Sequence, residues 1–150
     1  MAIVRTAGTE IIRSVHFEDV NNSPNNDLIV GVQHHIYTVL NIVIHCRALN
    51  ANTDSMVLAI NPGWDAKAGA SGTIRILNEV IPVNGTFTFN DKFSFNGTMP
   101  TGISGAMNTV VEQDAITDQG STTAQKLTAV ATHASDNFVI GITYIDQNNA

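Results

Sequence analysis

Apolar and polar residues alternate with a period of two along most of this chain, the spacing of a strand with one buried face. Ile42, Ile44, Cys46 and Ala48 fall on one side of a segment whose other side carries His45 and Arg47. Met56, Leu58 and Ile60 repeat the pattern, and so do Ile74 and Ile76 around Arg75. The same rule predicts strands over Glu10–Phe17, Leu28–Val32, Ile36–Val39, Thr86–Phe89, Phe93–Phe95 and Lys126–Thr132. Asn137–Asp146 is apolar on both sides, with Phe138, Ile140, Ile142 and Tyr144 on one and Val139, Gly141, Thr143 and Ile145 on the other. A strand apolar on both faces belongs in the middle of a sheet.

Turn chemistry separates these runs. Asn61-Pro62-Gly63 opens a loop that extends through Gly72, and Asn84-Gly85 and Asn96-Gly97 carry the residues of tight hairpin turns, which suggests a meander of short strands. Between Gly97 and Gln125 the periodicity dissolves into Gly, Thr, Ser, Asp and Gln, apart from Val110-Val111 and Ile116, and the pattern admits a short helix over Thr109–Ile116. So long a stretch without periodicity is unusual inside a compact domain and often carries binding function. The predicted fold is all-β, an antiparallel β-sandwich or jelly roll of roughly eight to ten strands. Met1–Asp27 is expected to be an N-terminal arm or first strand, and 28–150 the sandwich domain with an insertion loop at 97–125.

Composition narrows the classes. With 43% hydrophobic but 13% charged residues, the surface is covered by uncharged polar side chains, which suits strands and turns better than exposed helices. Seven basic residues, nowhere clustered, within a net charge of -6 lack the electrostatic footprint of nucleic-acid binding. No stretch is apolar for long enough to be a membrane-spanning helix, and Met1–Gly8 turns polar too early for a secretory signal, so synthesis in a reducing cytoplasm is expected. A single cysteine, Cys46, excludes an intrachain disulfide, and its place on an apolar face assigns it to the core.

Catalytic and metal chemistry find little purchase. Adjacent strand residues point to opposite faces, so His34 and His35 are poorly placed to share an ion; His16, His45 and His133 are scattered along the chain. Ser104 lacks a nucleophile-elbow context, and Glu112, Asp114 and Asp118 lack the spacing of a calcium loop. Gly63, Gly69, Gly72, Gly102 and Gly105 match no phosphate-binding pattern, and Asn84 and Asn96, which open Asn-x-Thr sequences, are read as turn residues. The expectation is no enzyme, no metal and no cofactor. Candidate partner contacts are Trp64, Met99, Met107, Val110, Val111, Ile116, Ile3 and Val4. For Trp64 two readings stand: an interface anchor, or a cap folded back onto the core.

Three blocks resemble small bacteriophage virion structural proteins of the β-sandwich capsid decoration or cement type, including head-fibre and tail-accessory forms. The first is Ile36-Tyr37-Thr38-Val39 with the later Arg47-Ala48-Leu49-Asn50; the second runs from Ile76 to Phe87, followed by Asn90-Asp91-Lys92-Phe93 and Gly97. The third is Lys126–Ala131 with Phe138–Ile145. The likeness spans roughly Ile36 to Asp146 but departs over Gly97–Gln125, where the family has a short acidic Gly turn. It implies a sandwich carried on the outside of a virion, with the major capsid protein as partner and a homo-oligomer, a trimer above all, suited to local three-fold lattice positions. The alternative it leaves open is a tail, fibre or baseplate module that recognises a host surface.

Overall fold

The computed structural model describes residues 9–23, 26–32, 35–61, 72–96 and 125–148. Among these residues there is no helix. Nine strands form two antiparallel sheets: β1 Thr9–Val20, β2 Asp27–Val30, β3 His35–Ala48, β4 Met56–Asn61, β5 Ile74–Glu79, β6 Thr86–Phe89, β7 Phe93–Asn96, β8 Lys126–Ala131 and β9 Asn137–Asn148. The first sheet runs β1-β9-β3-β6, with β7 also on β3, and the second runs β2-β8-β4-β5. As its two apolar faces foretold, β9 is central, between β1 and β3.

Strands β6 and β7 follow one another along the same edge of β3, Thr86–Phe89 opposite Ile42–His45 and Phe93–Asn96 opposite Ile36–Val39. Asn90, Asp91 and Lys92 span the gap opposite Leu40 and Asn41, so the pair is one strand interrupted by a bulge. Counted that way the pairing is nested: β1 with β9, β2 with β8, β3 with β6 and β7, and β4 with β5. First with last and inward to the middle is the wrapping of a jelly roll.

The inner faces of both sheets make one core. Val39, Ile42, Ile44, Cys46, Phe138 and Ile140 from the first sheet and Met56, Leu58, Leu127 and Ala129 from the second are all 0% exposed. Each large aliphatic or aromatic side chain so buried contributes about 1.5–3 kcal/mol. Small Cys46 lies opposite bulky Phe138, which keeps the layer between the sheets even.

The meander expectation is corrected at Asn84-Gly85. Strands β5 and β6 belong to different sheets, so the turn between them is a crossover and not a hairpin. Gly85 N–H donates to the Pro82 carbonyl at 2.8 Å, and Asn84, third in that turn, has φ of 66°. A single positive φ at the third position is a type II turn, whereas the tightest Asn-Gly hairpin needs two. The sequence pair specifies a reversal but not which sheet receives the next strand; Ile81, just before the turn, is buried in the core. Asn84 N–H donates to the Cys46 carbonyl at 2.8 Å and Cys46 N–H to the Gly85 carbonyl at 3.0 Å, seating the crossover on the end of β3. A Cβ at Gly85 would stand 2.8 Å from the Pro82 carbonyl oxygen, so the position requires glycine. The second hairpin signal, Asn96-Gly97, extends outside the described residues, as does the helix considered over Thr109–Ile116.

Within the opening segment, Thr9–Val20 is a strand of the first sheet, paired with β9 from Thr9 opposite Asn148 to Val20 opposite Phe138. Its regular ladder stops at Phe17, where the register shifts; Asp19 takes φ of 54° and accepts a hydrogen bond from Asn137 Nδ2 at 2.7 Å.

Candidate functional site

Alternation between antiparallel sheets sorts the connections to two ends. At one end lie the described residues 21–23 and 26 and the short crossovers 49–55, 80–85 and 132–136. Two buried carboxylates, Asp54 and Asp136, fasten 49–55 and 132–136. Asp136 accepts from Asn50 N–H at 2.8 Å and His133 N–H at 2.7 Å, joining two crossovers, while Asp54 accepts from Ala51 N–H at 2.9 Å within its own. At the other end lie Thr9, His35, Asn96 and Asn148 of the first sheet and Val30, Asn61, Ile74 and Lys126 of the second.

Every candidate contact residue, Ile3, Val4, Trp64, Met99, Met107, Val110, Val111 and Ile116, lies outside the described residues, as do His34, Ser104, Glu112, Asp114 and Asp118. The strand termini nearest to their segments, Thr9, Asn61, Ile74, Asn96 and Lys126, all belong to this second end.

The described part of that end holds a polar and aromatic cluster on the inner face of the first sheet. Tyr37 stacks on Phe95 with ring centroids 5.2 Å apart and meets Tyr144 at 6.0 Å; its hydroxyl accepts from Val32 N–H at 2.9 Å, which ties the chain just past β2 to the ring. Beyond the rings sits Asp146, 5% exposed, facing His35 Nδ1 at 2.6 Å and Arg13 Nε at 3.4 Å. One carboxylate thus links β1, β3 and β9. Burying it is tolerable because donors from two strands replace the water it loses.

The pattern of the sequence carried a signal for this cluster that periodicity alone passed over. Arg13 occupies the inward register of β1 between Ile11 and Val15, and Asp146 the inward register of β9 after Tyr144. Two opposite charges at core-facing positions of separate strands call for each other, but the β1–β9 pairing had to be known before they could be matched.

Burial pushes both phenols above the ordinary tyrosine value of 10.0. At Tyr37 the Val32 N–H bond opposes the rise and the charge of Asp146 adds to it; at Tyr144 Arg13 opposes and Asp146 adds. They stay protonated at neutral pH and serve as packing and hydrogen-bonding groups. The linkage sign follows: the unfolded chain releases these protons near 10.0 while the folded chain still holds them, so stability present below 10.0 is lost as pH rises through the raised folded values. Urea midpoints measured across alkaline pH are expected to fall beyond about pH 10, and Tyr144→Phe should make that fall shallower. An unchanged alkaline slope in the variant would refute the assignment.

The remaining histidines are dispersed. His16 is 3.7 Å from Glu18, which also pairs with Arg47 at 3.2 Å; His45 contacts Thr86 at 2.9 Å; His133 Nδ1 accepts from Ser135 N–H at 3.1 Å. Among the described residues no three His, Cys, Asp or Glu side chains come together as a metal site. Cys46 is in the core as expected, and burial, aided by the charge of Asp136, raises its thiol pKa, which lowers its thiolate fraction and reactivity. No protein-family model matches the chain, and no curated protein matches it.

Proposed function

We propose that this chain is a structural protein of a bacteriophage virion, a decoration or cement protein that binds the outer capsid lattice and stabilises the head. The observation that carries the reading is the likeness of three sequence blocks to that family. Those blocks fall on β3, on β5 through β7, and on β8 with β9, strands drawn from both sheets. The fold agrees with the reading without requiring it, since jelly rolls serve as viral capsid domains and as lectins alike.

The mechanism is mass action. A subunit that binds the assembled shell and not its dissociated parts stabilises the shell by its binding free energy at every equivalent site, and an oligomer adds multivalent attachment. No chemical step is involved. The same fold's use in lectins favours one second reading, a tail, fibre or baseplate module that recognises a host-surface glycan or protein.

The test is to add purified protein to undecorated capsids of the phage whose genome carries this sequence. Binding that saturates at a lattice stoichiometry and raises the capsid disruption temperature supports cement. No binding to capsids, together with retention on host cells or host glycans, would replace it by the recognition module.

A further inference from the structure

A sheet edge is a row of unpaired backbone donors and acceptors, and proteins blunt such edges with short strands, bulges, prolines or lysines. Among the described residues the sandwich has four edges, and three are blunted. Strand β2 is four residues long and its register shifts between Asp27 and Ile29. Strand β5 is six residues long, with a shift in its pairing between Leu58 and Ala59. The β6–β7 edge is interrupted at Asn90–Lys92.

The fourth, β1, has none of these devices over its regular part. From Thr9 to Phe17 its ladder to β9 runs without a shift, and the segment contains neither proline, glycine nor lysine. Among the described residues, no backbone hydrogen bond reaches residues 10–18 from any element but β9. Ile12, on its outer face, is 70% exposed, more than any other large apolar residue described.

We propose that β1 pairs antiparallel with β1 of a second copy of this chain about a two-fold axis at Ile12, joining two five-stranded sheets into one. Self-pairing is selected by charge. An axis at Arg13 would oppose Arg13 to itself and an axis at Ser14 would oppose Glu10 to Glu18, and like charges directly opposite are destabilising; an axis at Ile11 or Val15 opposes no like charges but sets exposed Ile12 against the carboxylate of Glu10 or Glu18. At Ile12 no like charges meet. The exposed isoleucines contact each other, Glu10 faces Ser14 and stands diagonal to His16, and the Arg13 stem lies against Ile11. The axis closes the pair and consumes the edge, so no filament follows. This assembly is a dimer where the capsid likeness implied a trimer, and it is independent of the proposed function.

Sedimentation and light scattering on the purified chain are expected to give a dimer. Ile12→Lys, at an exposed position with little bearing on the fold, should raise the dissociation constant at least about tenfold while the far-ultraviolet spectrum stays unchanged. Directly opposed residues bring Cα atoms within disulfide range, so Ile12→Cys should cross-link to itself under mild oxidation, whereas His16→Cys, four residues from the axis, should not. The parent chain, whose one thiol is buried, supplies the blank. A monomer at all concentrations, a trimer, or a dimer that survives Ile12→Lys would overturn the proposal.

Discussion

Deleting residues 1–27 is expected to unfold the sandwich, because Thr9–Val20 is an integral strand and not a detachable arm. The deletion strips the outer edge from β9, uncovers the core where Val15, Phe17 and Val20 pack, and removes Arg13 from buried Asp146. Val20 is buried and Val15 and Phe17 are half-buried, so losing the three costs on the order of 3–6 kcal/mol before the lost β1–β9 ladder is counted, a large share of the stability of a typical domain. Circular dichroism and urea denaturation should show no cooperative transition. Deleting residues 1–8 spares every residue of β1, and the transition should persist. A cooperative fold after removal through residue 27 would refute the role given to β1.

Asp136→Ala should be the most damaging single polar substitution at the crossover end. Its carboxylate accepts two backbone N–H groups from different crossovers, Asn50 and His133, from a position 3% exposed. Losing the two part-buried bonds to this carboxylate costs about 1–3 kcal/mol. The urea midpoint should drop accordingly with the slope unchanged. Asp136→Asn keeps one accepting oxygen and should recover roughly half. Equal midpoints for the parent and both variants would show that the two crossovers are held by other means.

Much of the fold was legible in the chain. Alternation located all nine described strands to within a few residues, and the doubly apolar Phe138–Ile145 run correctly announced a central strand. Ile36–Val39 and Ile42–Leu49 read as two strands because the pattern slips at Leu40, yet the backbone continues through the slip as β3, with a register shift between Val39 and Asn41. The topology was not legible, because a period of two says which residues face inward but not which sheet a strand joins. Asn84-Gly85 shows the difference: the local turn was foreseen and its destination was not. The same gap hid the Arg13–Asp146–His35 cluster, whose members are distant in sequence and meet through the β1–β9 and β3–β9 ladders.

Nesting also governs the order in which the molecule can form. The pairing of Thr9 with Asn148 closes almost the full length of the described chain, and β3 also waits for β9 along most of its length. Neither ladder can exist until β9 has been synthesised, so β1 and β3 must pass through a period with that side unpaired. Pairings this distant in sequence carry a large loop-closure cost before they return any contact, which makes for slow and concerted folding. The β1–β9 and β3–β9 ladders therefore form only after β9 has emerged, whereas the β4–β5 pair, close in sequence, needs no such wait.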